Sequence, residues 1–160
     1  MSFFDDPALD NPFWQFSLNR YARRGVAAAC LALQDRAEID VNLLLFAFWL
    51  GHGGYRLADY PDAMRPVVAW HEAVVKPLRH ARIARRQPEG APENPIRAAI
   101  KQVELQAEQI EQALLFRLAD GLMTETGSGS QADMVHNARS LMPALAIEDD
   151  ALGRLALLCL

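Results

Sequence analysis

Residues 40–50 read DVNLLLFAFWL, and from Val41 onward Asn42 is the only polar residue of the run. A helix that is apolar on every side has no face to offer water and belongs in an interior. A bilayer-spanning helix needs about 20 apolar residues, twice the length of this run. The stretch therefore reads as a buried central helix and not as a membrane span. Asp40 stands where a side-chain oxygen caps the first turn, and Gly51, Gly53 and Gly54 follow as a stop.

Working outward, the flanking segments carry helical spacing. Upstream, Asn11-Pro12 opens a helix over Phe13 to Arg24 with Trp14, Leu18 and Tyr21 on one face. Gly25 breaks it, an alanine-rich helix runs from Val26 to Leu33, and Gln34 to Glu38 is a polar turn. Downstream, Tyr55 to Tyr60 connects to a long helix that starts at Pro61-Asp62 and reaches about Arg86. Pro77 lies inside it and predicts a change of direction near Lys76, because proline lacks the N–H of the helical ladder.

Residues 87–95 (QPEGAPENP) hold three prolines and a glycine and form the clearest internal linker. Beyond it, Asn94-Pro95 repeats the cap-plus-proline start, and Ile96, Ile100, Val103, Ala107, Ile110 and Leu114 make a narrow packing seam. The seam is shorter than three heptads, which favours packing within one bundle over a free coiled coil. Thr124 to Ser130 is a loop, Gln131 to Met142 a short helix, and a last helix begins at Asp149 or Asp150. No run alternates long enough to predict a strand. The expectation is an all-α single domain over 1–160, an irregular bundle of about six or seven helices around the 41–50 helix.

Composition narrows the function classes. With 51% apolar and 22% charged residues the chain is globular in type, and a net charge of −4 makes nucleic acid an unlikely partner. The charge is uneven: residues 1–86 carry eleven Lys and Arg against nine Asp and Glu, and residues 87–160 five against eleven. Cys30 and Cys159 both lie in apolar runs, which suits a reducing compartment, and Met1 to Pro12 lacks the basic and apolar pattern of a secretory signal. A cytoplasmic protein is expected.

The polar residues that stand out are few. Arg79, Arg82, Arg85 and Arg86 gather near a helix end, with Arg79, Arg82 and Arg86 on one face predicted to be exposed and suited to an anion or acidic partner. Glu104, Glu108 and Glu111 form an acidic stripe beside the seam that is able to mate with them. No two of His52, His71, His80 and His136 share the spacing of paired ligands on one helix, so no metal and no cofactor is expected. Nucleophile elbows, P-loops and dinucleotide fingerprints do not occur, and no catalytic residue is assigned. Asn42 is the exception inside its apolar helix, since a buried amide requires partners.

Four blocks carry a resemblance: NPFWQFSL at 11–18, GVAAACLALQ at 25–34, DVNLLLFAFWL at 40–50 and WHEAVVKPLRHAR at 70–82. Together they resemble a family of small proteobacterial proteins grouped as domain of unknown function 2390. The resemblance covers 11–86 and implies a bacterial, cytoplasmic protein but no activity. Within its blocks Asn42, Trp70, His71, Pro77, Arg79 and Arg82 are the polar or special positions. Asn42, Trp70, His71, Arg79, Arg82 and Arg86 are the candidate ligand or partner site.

Two functions follow as expectations. The first is a non-enzymatic helical interaction or regulatory module, binding a protein partner or a second copy through the 96–114 seam or the arginine-rich end. The alternative is a small-ligand binder or enzyme with a pocket between the 41–50 and 62–86 helices, where Asn42, His71 and Arg79 supply polarity.

Overall fold

The structure is a computed structural model and describes residues 5–57, 62–122 and 125–160. Its helices are α1 (Pro12–Tyr21), α2 (Val26–Ala37), α3 (Val41–His52), α4 (Arg65–Trp70), α5 (Lys76–Ala84), α6 (Pro95–Leu122), α7 (Gln131–Leu141) and α8 (Asp149–Cys159). A 3-10 turn at Asp62–Met64 leads into α4, and a π-helical turn at His71–Val75 joins α4 to α5 as one rod. Counted that way, seven helical rods make an all-α bundle among the described residues. Pro61 and Thr124, expected in a helix start and a loop, lie outside those residues.

The centre is α3. Every residue from Val41 to Leu50 except Trp49 is buried, with Leu44, Phe46, Ala47 and Phe48 fully so. Asp40 accepts from the Leu43 N–H at 3.1 Å and caps the helix as its position predicts. Phe13 of α1 meets Phe46 edge-on at 5.3 Å, and Trp49 lies against Phe116 of α6. No described helix is long and apolar enough to cross a membrane.

α7 approaches α3 closely because Gly51 lets it. A methyl group on Gly51 would sit 2.6 Å from the Met134 backbone N, so the residue is not the stop that the glycine cluster suggested. The helix ends instead at Gly53, with Gly54 taking the left-handed conformation at φ 82°. α7 starts on a capping box between Ser130 and Asp133. Burial alone would raise the Asp133 carboxyl, but hydrogen bonds from Ser128 and Ser130 overcome that and hold it at about 2.

Several expectations shift. No strand was predicted, yet Tyr55–Arg56 and Glu125–Thr126 form a two-residue antiparallel pair, Tyr55 opposite Thr126. Asn137, fully buried, explains part of it: its side chain donates to the Tyr55 carbonyl at 2.8 Å and accepts from the Leu57 N–H at 2.9 Å. Residues 34–37, read as a turn, stay helical, and α2 ends at Glu38 in a left-handed conformation. The buried face of α6 differs from the predicted seam by about one position. Ile96 is 61% and Val103 48% exposed, while Glu104, Ala107, Glu111, Gln112 and Leu114 face inward.

Gly51→Ala is expected to lower the unfolding free energy by about 2 to 3 kcal/mol, because the added methyl meets backbone that cannot rotate away. Urea denaturation monitored by circular dichroism measures it.

Candidate functional site

The inward turn of α6 brings carboxyl groups into the interior, where burial demands partners. Glu111 has no exposed surface. Its Oε2 accepts from Asn42 Nδ2 at 2.7 Å, and its Oε1 lies 3.1 Å from His71 Nδ1. The same imidazole nitrogen lies 3.2 Å from Asp40 Oδ2. Gln112 Nε2 donates to Asn42 Oδ1 at 2.8 Å and completes the amide's pairing. The polar residue that was anomalous in the 41–50 run is thus the link between α3 and α6.

A second group lies along the same helix. Arg79 Nη2 donates to Glu108 Oε1 at 2.8 Å and its Nε to Glu104 Oε1 at 3.3 Å. Arg82 donates to both oxygens of Glu104, through Nη2 at 3.1 Å and through a short bond from Nε. Gln34 of α2, with its amide oxygen toward Arg79, accepts from Nη1 at 2.8 Å. The Trp70 indole N–H closes the row on the Ala107 carbonyl at 3.0 Å.

The π turn makes this alignment possible. In an α-helix the eight residues from His71 to Arg79 would turn the second side chain about 80° away from the first. A π turn takes up one extra residue, so the interval behaves as seven and the offset falls to about 20°. Val67, His71, Val75 and Arg79 accordingly all face inward at steps of four. Proline 77 is the local cause: the C=O of Ala73 has no N–H to receive from it, and the backbone widens just upstream.

Electrostatics follow from burial. Removal from water pushes the Glu111 carboxyl well above its usual range, and the Asp40 carboxylate beside it adds to the rise. Burial also raises Glu108, against the pull of Arg79. Burial lowers the His71 pKa, with Asp40 opposing that change. Arg82 is held more firmly protonated by its hydrogen bond to Glu104. Four carboxyl groups (Asp40, Glu104, Glu108, Glu111) therefore face two guanidinium groups (Arg79, Arg82).

Next to this network lies a cavity of about 360 Å³ between α1, α2, α3 and α6. Trp14, Leu18, Tyr21, Leu31, Leu45 and Leu105 wall it, and Asn42, Glu108 and Gln112 give its polar end. The face of α1 expected to enter the core instead borders this space, with Phe13 and Ser17 turned into the interior. Two buried atoms among the cavity's lining residues, Ser17 Oγ and Gln112 Oε1, have no hydrogen-bond partner in the protein.

Five of the six candidate residues converge. Asn42, Trp70, His71, Arg79 and Arg82 all contact α6 or the groups it carries, whereas Arg86 is exposed and stands apart. The prediction that Arg79 lies on an exposed face is overturned: it is 6% exposed, because the π turn rotates it inward. Sequence reasoning missed Asp40, Ser17, Glu111 and Gln112 as members of the site. The available signal was the phase of Glu104, Glu108 and Glu111, which follows Ala107 and Leu114 around the helix.

The sequence profile of a family described as "Protein of unknown function (DUF2390)" matches residues 12–115. The chain belongs to this family. No curated protein and no solved structure matches it. The DUF2390 stretch extends past the 87–95 linker, further than the four blocks at 11–86 indicated, and takes in most of α6. Asp40, Asn42, His71, Arg79, Glu104, Glu108 and Glu111 all fall within it, and α7 and α8 lie beyond it.

Because Arg79 is inserted between two carboxyl groups, Arg79→Met should cost about 3 to 5 kcal/mol of stability by leaving them unpaired. Arg86→Met should stay within about 0.5 kcal/mol. Parallel urea titrations distinguish the inserted arginine from the exposed one.

Proposed function

We propose that this protein binds a small amphipathic molecule in the cavity between α1, α2, α3 and α6. The carrying observation is that Ser17 Oγ and Gln112 Oε1, both buried and both without a partner in the protein, belong to residues lining one apolar-walled space. Unmet buried polar atoms are costly, and a ligand with donors at one end would satisfy them. A volume of about 360 Å³ lies at the small end of ligand pockets. Aromatic and leucine side chains suit an apolar body, while Gln112, Ser17 and Glu108 suit a hydroxyl or amine end. Binding rather than catalysis is the reading. The two buried free thiols, Cys30 raised to about 12 and Cys159 to about 11 by burial, are inert and compatible with a cytoplasmic setting.

Thermal-shift and calorimetric titrations with small aromatic and branched alkyl amines, alcohols and carboxylates test the proposal. Amines and alcohols should stabilise the protein and carboxylates should not. Ser17→Ala should leave the free protein equally or slightly more stable, by up to about 1 kcal/mol, yet weaken binding about tenfold. If no member of the series binds, or if Ser17→Ala binds as well as the parent, the pocket is not a ligand site.

A second reading is association of two copies along α6, supported by Ile96, Val103 and Leu105, which are 61%, 48% and 54% exposed. Sedimentation equilibrium should then give a concentration-dependent dimer that Val103→Glu abolishes. A monomer throughout the micromolar range sinks it.

A further inference from the structure

Asp40, His71 and Glu111 come from the N-cap of α3, the π turn and the middle of α6, and their ligand atoms all lie within 4.8 Å of one another. The separations from His71 Nδ1 are 3.1 Å to Glu111 Oε1 and 3.2 Å to Asp40 Oδ2. Ligands about 2.1 Å from a common ion stand about 3.0 to 3.4 Å apart along the edges of an octahedron or tetrahedron. The two distances match those edges with no movement of the backbone.

The outer atoms of the cluster are already fixed by the protein. Asp40 uses Oδ1 to cap α3 through the Leu43 N–H, which leaves Oδ2 toward His71. Glu111 receives Asn42 on Oε2 at 2.7 Å, which leaves Oε1 toward His71, and Gln112 holds Asn42 in turn. One oxygen of each carboxyl group is thus oriented by a neutral donor and the other points at a shared centre. Second-layer hydrogen bonds of this kind orient metal ligands.

Charge and access point the same way. Four carboxyl groups against two guanidinium groups leave room in the interior for a dipositive ion. A recess of about 220 Å³ lined by Gln34, His71, Lys76 and Arg79 reaches the imidazole from one side. A larger groove of about 690 Å³ beneath residues 142–151 reaches Asp40 from another.

We propose that Asp40 Oδ2, His71 Nδ1 and Glu111 Oε1 form a binding site for one divalent transition-metal ion, with its remaining coordination position open toward Asp40. One imidazole and two carboxylates suit Zn²⁺, Co²⁺, Fe²⁺ or Mn²⁺. Three protein donors fall short of the six to eight oxygens that Ca²⁺ takes, so Ca²⁺ is excluded. Zn²⁺ should bind more tightly than Mn²⁺, following the general order of affinities. The proposal stands apart from the pocket reading, since the amine and alcohol titrations report on the other side of Asn42.

The test uses the full chain, stripped with EDTA and dialysed, and titrated with Zn²⁺ against a chromophoric chelator. One equivalent should be taken up, and Co²⁺ in its place should give visible absorption bands. His71→Gln should weaken Zn²⁺ about a hundredfold or more, and Asp40→Asn and Glu111→Gln at least tenfold, with helical circular dichroism retained. Asp40→Asn keeps the capping oxygen and Glu111→Gln keeps the shape and the bond from Asn42, so either serves if His71→Gln fails to fold. Glu72→Gln, an exposed carboxylate beside His71 in sequence, should bind as the parent does. Uptake well below one equivalent by the parent, or uptake unchanged in the folded variants, overturns the site and leaves the three residues as a proton-sharing network.

Discussion

A carboxyl group with no access to water sits where α3, the π turn and α6 meet, and its hydrogen bonds decide how those elements approach. Glu111 cannot satisfy itself within its own helix. It takes a donor from Asn42 and the imidazole of His71, and each of those residues is turned toward it by its own backbone. Hydrophobic burial around α3 is non-directional and would tolerate several arrangements of the flanking rods. The polar contacts at Glu111 are directional and select one of them, which is where specificity in a bundle of this size arises.

The same constraint builds the two faces of the site. On one side Asn42 passes the network on to Gln112 and so to the apolar-walled cavity. On the other, His71 and Asp40 gather beside Glu111, and further along α6 the arginines meet Glu104 and Glu108. Two regions of different chemistry thereby share a wall one side chain thick. A change at Asn42 would be felt in both, since its amide donates to one and accepts from the other.

Much of the architecture was legible because local chemistry and global packing agree. The apolar run 41–50, its Asp40 cap, the Asn-Pro starts at 11–12 and 94–95, and the proline-rich break at 87–95 each act through their own backbone and need no tertiary knowledge. The site was legible only in part. Asn42 declared itself by standing in an apolar helix. Glu111 and Asp40 did not, because a carboxylate in a mixed Glu and Gln helix looks like solvated surface, and a capping aspartate already has a sufficient role. The apolar side chains of Ile96 and Val103 drew the predicted seam away from the true face. The π turn has no spacing signal beyond Pro77, and without it Arg79 is assigned to the wrong side of its helix.

The π turn also sets how this chain tolerates changes of length. A single widened turn is equivalent to one residue inserted into an otherwise regular helix. Deleting one residue between 71 and 75 would restore an ordinary helix while swinging everything after it by about 100°, carrying the guanidinium groups of Arg79 and Arg82 out of reach of α6. Val67 and the rest of α4 would keep their places. The two halves of the site are therefore held in register by the number of residues between them, and a chain of this lineage can exchange side chains along the rod more freely than it can gain or lose one.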